Sequence, residues 1–88
     1  MIFDGYVFLH DMPVRSIVKL ASPDGNIIRT EESDEFGHVV FNVEKNKGTY
    51  ELQCLHEDLA KSFELKFASL QSNSEFRIYL DQDSIAWK

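Results

Sequence analysis

With 88 residues the chain has room for one domain, since domains usually hold about 100–150 residues. Its 43% hydrophobic content can supply a core, and 27% charged residues with a net charge of -6 exclude a collagen-like chain and a wholly disordered one. No nucleic-acid partner and no membrane span are expected: phosphate binding needs a Lys/Arg surplus, and no apolar run approaches the ~20 residues of a bilayer-crossing helix.

Short strands separated by turn chemistry dominate the chain. Tyr6-Val7-Phe8-Leu9-His10 is an aromatic and β-branched run that predicts a strand. Asp11-Met12-Pro13 ends it, because proline donates no backbone hydrogen bond. Val14 to Ala21 alternates, with Val14, Ser16, Val18 and Leu20 on one face and Arg15 and Lys19 on the other. Ser22-Pro23-Asp24-Gly25 is a turn: proline presets φ, and Asp-Gly accommodates the later positions. Asn26 to Glu32 resumes a strand, and Ser33-Asp34-Glu35-Phe36-Gly37 turns again.

His38 to Val43 then places Val39, Phe41 and Val43 on one face. Lys45-Asn46-Lys47-Gly48 reads as a solvated hairpin loop. Thr49 to His56 directs Tyr50, Leu52 and Cys54 inward. Lys61 to Ala68 sets Phe63, Leu65 and Phe67 against Ser62, Glu64 and Lys66. Gln71-Ser72-Asn73-Ser74 is polar loop, and Glu75 to Leu80 closes the set with Phe76, Ile78 and Leu80 inward. Leu55, Leu59, Ser62 and Phe63 have helical spacing, so one short helical turn at 57–60 competes with strand there.

Seven strands in 88 residues, each apolar on one face, predict an all-β fold: an antiparallel Greek-key β-sandwich forming a single domain over 1–88. Its core spans 5–80, and 81–88 is a C-terminal tail. The alternation suits several Greek keys, so strand order stays open.

From Met12-Pro13-Val14 through Val18-Lys19-Leu20, Pro23-Asp24-Gly25, Ser33-Asp34 with Gly37, Val39-Val40-Phe41 and Lys47-Gly48-Thr49-Tyr50, the chain resembles the transthyretin-like family. This prealbumin-like group is also called carboxypeptidase-regulatory-like, and the B-type repeats of collagen adhesins are similar. The resemblance covers about Gly5 to Cys54 and implies the sandwich, whose members serve as spacers, binding modules and carriers. Gly5-Tyr6-Val7, Pro13-Val14-Arg15 and the Ser-Asp-x-x-Gly turn look like modules of bacteriophage tail and prophage structural proteins. Two activities of the wider group are not implied. The ending Asp83 to Lys88 lacks the Tyr-Arg-Gly-Ser of the ureide hydrolases, and Glu75 to Leu80 has no Asn for an isopeptide bond.

Candidate chemistry is sparse. Cys54 is the only cysteine, so no internal disulfide forms, and the N-terminus lacks the basic start and apolar stretch of a signal peptide. Synthesis in a cytoplasm is expected, with a virion as a destination. Cys54-x-His56 shares a strand face as two metal ligands would, but a buried thiol beside a strand-end His fits as well. His10-Asp11 has no nucleophile placed by motif. Glu31, Glu32, Asp34 and Glu35 lack the alternating pattern of calcium loops and read as a solvated turn. No catalytic, metal or cofactor residue is assigned.

Outward apolar residues are the remaining signal. Ile17, Ile27, Val40, Leu55 and Tyr79 lie off the inward faces, and Trp87 sits in the polar tail. Ile17, Val40, Leu55, Tyr79 and Trp87 are the candidate interface. The expected function is a non-enzymatic structural or protein-interaction module, a tail or baseplate component or accessory of a phage, with itself or another structural protein as partner. Two alternatives stand beside it: a carbohydrate-binding module using Tyr6, Tyr50, Tyr79 and Trp87, and a small regulator that binds a host protein by strand addition.

Overall fold

Alternating side chains make each strand amphipathic, so its apolar face must be covered by another layer. The computed structural model describes residues 1–44, 48–70 and 74–88. Its strands are β1 (Ile2–Leu9), β2 (Met12–Pro13), β3 (Ile17–Ala21), β4 (Ile27–Glu32), β5 (His38–Asn42), β6 (Thr49–His56), β7 (Leu59–Lys66), β8 (Glu75–Tyr79) and β9 (Ser84–Trp87). Single 3-10 turns occupy Phe67–Ser69 and Leu80–Gln82. In the first sheet β1 is central: β5 and β2 pair with one of its edges, β8 with the other, and β9 lies outside β8. The second sheet runs β4-β3-β6-β7.

The two sheets enclose one core. Phe3, Phe41, Phe67 and Phe76 are its largest fully buried side chains, each contributing roughly 1.5–3 kcal/mol of transfer free energy. Phe3 stacks on Phe41 with centroids 5.3 Å apart and meets Phe67 edge-on at 6.4 Å. The inward faces read from alternation in β3, β5, β6, β7 and β8 are the buried ones. Among the described residues no helix is long and apolar enough to cross a membrane.

Several expectations need correction. β1 starts at Ile2 rather than Tyr6, because Asp4 faces outward and Gly5 takes an inward position without a side chain. Pro13 does not end the first strand. It pairs with Phe8 in a hairpin closed by His10 and Asp11, which have φ of 51° and 64° as a type I′ turn requires. These residues are not the Asn-Gly usually seen there, so the hairpin carries no sequence signal.

No helical turn forms at 57–60. Glu57-Asp58 is a two-residue connection, and β6 and β7 pair from His56↔Leu59 out to Thr49↔Lys66. That long ladder outweighs a local helical spacing. β5 and β6 lie in different sheets, so the connection between them is a crossover and not the expected hairpin. Lys45-Asn46-Lys47, and Gln71-Ser72-Asn73 of the polar loop, lie outside the described residues. The sandwich is also not wholly antiparallel, since β1 and β8 run parallel.

Residues 81–88 are not a tail. Asp83 takes φ 51° after the second 3-10 turn and reverses the chain. β9 then pairs with β8, setting Ile85 opposite Ile78 and Trp87 opposite Phe76. Between β4 and β5 the predicted turn forms, with Gly37 at φ 76°. A Cβ there would come within 2.6 Å of the Val7 carbonyl oxygen, so the close approach of this turn to β1 requires glycine.

Candidate functional site

The outer face of the first sheet carries most of the molecule's unusual chemistry. Registers place side chains in rows across it. His38, Tyr6, Arg77 and Ala86 form one row, and Pro13, Phe8, Tyr79 and Ser84 form the next. Val40, Asp4 and Glu75 form a third. Tyr6 stacks on His38 with centroids 4.8 Å apart, and Phe8 stacks on Tyr79 at 5.5 Å. Tyr6 and Phe8 lie 6.4 Å apart with planes 23° from parallel, which joins the two pairs into a ladder. The Arg77 guanidinium is 6.0 Å from the Tyr6 ring centroid, within cation–π range.

Edge-to-edge rings cannot bring their centroids closer than about 6 Å without carbon overlap. The 4.8 and 5.5 Å pairs, with planes 28° and 18° apart, are therefore offset stacks and not edge-to-edge contacts. Each ring of a pair lies alongside its partner on one face only, and the Arg77 cation sits beside Tyr6.

Polar contacts fix the ladder's end. His38 Nε2 lies 2.7 Å from Asp4 Oδ2 across the β1–β5 pair. The Asp34 carboxylate accepts the backbone N–H groups of Phe36 and His38, both at 2.9 Å, and so sets where β5 begins. The His38 N–H bond is the leading reason that the Asp34 carboxyl is held below the usual range. Desolvation is the next largest effect and opposes it, and the Phe36 N–H and the charges of His38 and Arg15 add to the lowering. The Asp24 carboxyl of the other predicted turn is lowered mainly by the Ser22 hydroxyl.

Beneath the second sheet, Ser16, Ser33 and Cys54 form a buried polar cluster. Ser33 Oγ accepts the Ser16 N–H at 2.7 Å and donates to the Val14 carbonyl oxygen at 2.8 Å. Burial pushes the Cys54 thiol up, and the Ser16 hydroxyl 3.6 Å away offsets part of this. His56 turns its Nδ1 to the Arg15 carbonyl oxygen at 2.7 Å, which gives it a structural partner. His10 approaches Asp81, through its backbone N–H at 3.1 Å, rather than Asp11. Among the described residues no group of three His, Cys, Asp or Glu is arranged to hold a metal ion.

The five interface candidates do not share one surface. Val40 and Tyr79 lie on the outer face of the first sheet. Ile17 and Leu55 face each other on the outer side of the second sheet, with Glu32 and Ala60 completing the row. Trp87 is on the inner side of β9, 37% exposed, with its ring tilted against Phe3 and Phe76. Of the aromatic set weighed for carbohydrate, Tyr50 is buried edge-on against Phe67, so it is not available to a ligand.

Sequence reasoning missed Phe8 and His38 as ladder members, and also Met12 and Phe36. Met12 and Phe36 are the most exposed large apolar side chains, at 65% and 66%. Met12 pairs with Leu9, so the register puts it on the side of β1 opposite the ladder, and Phe36 lies in the turn whose Gly37 abuts Val7 and Pro13. Each sits in a segment read only for its turn chemistry. An apolar residue inside a turn was the available signal. No protein-family model matches this sequence, and no curated protein matches it.

Proposed function

We propose that this chain is a non-enzymatic, transthyretin-like β-sandwich module that binds another protein through the outer face of its first sheet. The observation that carries the reading is the ladder His38–Tyr6–Phe8–Tyr79, with the Arg77 guanidinium beside it. Aromatic residues, Met and Arg are the types enriched at protein interfaces. A small sandwich with one recognition face suits a part in a larger assembly, and the likeness of Gly5-Tyr6-Val7, Pro13-Val14-Arg15 and the Ser33-to-Gly37 turn to phage tail modules supports a tail or baseplate role.

The ring geometry weighs against sugar. Stacking on a pyranose needs open ring faces, and of the aromatic set Tyr50 is buried against Phe67 while Tyr6 and Tyr79 each give one face to a neighbouring ring. Strand addition is also less favoured at β4: Arg29 donates to the Ile28 carbonyl oxygen at 2.9 Å, and Glu31 and Glu32 add charge along that edge.

Site-specific photo-crosslinking in the native host tests the proposal. A crosslinker at Val40, exposed on the ladder's face, is expected to capture a defined protein, and excess wild-type chain competes while the Tyr79→Asp variant does not. A crosslinker at Ile17, on the opposite sheet, should not capture it. Capture from Ile17 alone, or equal competition by Tyr79→Asp, overturns the proposal.

A further inference from the structure

Most strand edges of the sandwich are guarded against pairing with another chain. β4 and β7 are the edges of the second sheet. Arg29 and Glu31 stand opposite Leu20 and Val18, on the core side of β4, and Lys61 stands opposite Cys54, on the core side of β7. Inward charges of this kind oppose edge-to-edge contact. In the first sheet β2 has two residues, one of them Pro13. On β5 the Asp34 turn takes up both the N–H and the carbonyl oxygen of His38, at 2.9 and 3.0 Å. β9 differs: this edge reads Ser84-Ile85-Ala86-Trp87 and carries neither charge nor proline.

The direction of the β9 backbone follows from its pairing with β8. Glu75 and Lys88 exchange two backbone hydrogen bonds, at 2.8 and 3.3 Å. Bonded and non-bonded pairs alternate in an antiparallel ladder, so Arg77 with Ala86 and Tyr79 with Ser84 are also bonded pairs. The N–H and C=O groups of Ile85 and Trp87 therefore point away from β8, along the open edge. Their side chains lie on the core side, opposite Ile78 and Phe76, with Ile85 half-buried and Trp87 37% exposed.

We propose that β9 pairs antiparallel with β9 of a second copy of this chain, about a two-fold axis at Ala86. A two-fold axis normal to a sheet keeps every side chain on its own face, and Ala86 facing Ala86 satisfies this. Ile85 of each copy then faces Trp87 of the other, and every edge-facing N–H and C=O of β9 is bonded. The two Ala86 residues form a non-bonded pair with Cα atoms about 4.5 Å apart, a spacing that a methyl group fits. On the core side each exposed indole is covered by Ile85 of the other copy. Charge complementarity favours a second copy as the occupant: the antiparallel arrangement sets the Lys88 end of each strand against the Asp81 and Asp83 end of the other. The pairing uses a strand edge and not the ring faces of the ladder, so it and the reading of the ladder can fail separately.

Sedimentation equilibrium of the full chain tests it. A dimer of twice 10.2 kDa is expected, with a Kd below about 100 μM. Ala86 is exposed, so Ala86→Lys and Ala86→Glu each retain the fold while setting like charges at the axis, and each should weaken the dimer about tenfold. Mixing the two variants should restore it, because opposite charges then face each other. In the wild-type chain, amide hydrogen exchange at Ile85 and Trp87 should slow as protein concentration rises. A chain that stays monomeric up to about 1 mM overturns the proposal. So does a dimer that both variants leave intact, one that mixing fails to restore, or one without added protection at Ile85 and Trp87.

Discussion

Gly5 and Phe76 occupy facing positions of the parallel β1–β8 pair, and the Phe76 ring fills the space that a Gly5 side chain would take. Phe76 is fully buried between Phe3 and Trp87, so the ring has nowhere to go. Gly5→Ala is expected to destabilise the protein by about 2–3 kcal/mol through overpacking. Urea denaturation checks it: the midpoint falls while the slope stays constant. Adding Phe76→Leu should recover part of the loss.

The β1–β2 turn carries strain that a substitution can remove. Asp11 takes φ 64°, a left-handed conformation that glycine adopts without cost. Asp11→Gly should raise stability by about 1 kcal/mol. A thermal melt is expected to rise by ~4–8 °C for a domain of this size.

Ser33 is almost wholly buried and satisfies both the Ser16 N–H and the Val14 carbonyl oxygen. Ser33→Ala leaves both groups without this partner, at a cost of about 2 kcal/mol. Ser33→Thr keeps the hydroxyl and tests whether the hydrogen bonds or the volume dominate. Chemical denaturation of the two variants separates these contributions.

The Asp34 turn makes stability depend on acid. Its folded-state pKa is lowered by the N–H groups of His38 and Phe36, so the unfolded chain binds its proton first as pH falls. The stabilisation is fully present above the unfolded carboxylate value of about 3.9 and is lost as pH drops through the lower folded value. Asp34→Ala should lower the melting temperature at pH 7 and flatten the acid limb below pH ~4. Melting curves of the two proteins are expected to converge toward pH 2. Asp24 contributes to the limb in the same direction, and its removal leaves the Asp34 difference intact.

Half of the candidate face was legible. Alternation alone turned Val40 and Tyr79 outward, because each strand's apolar set defines its own inside. Nothing in β1 says that Tyr6 will lie beside His38, 32 residues away, or Phe8 beside Tyr79; those pairings are set by sheet register. The sequence likewise separated Ile17 and Leu55 from the core yet was silent on their lying on the opposite sheet from Tyr79.

What the sequence determined by itself was local. It settled the period-2 patterning of β3 and β5 through β8, and the turns at Ser22–Gly25 and Ser33–Gly37, because a strand's faces and a turn's φ angles depend on adjacent residues. Tertiary structure alone decided the β1–β8 parallel pair, the conversion of 81–88 into β9, the loss of a helical turn at 57–60 and the ladder of rings. Each depends on hydrogen bonds and packing between distant segments, which the alternation of one strand does not encode.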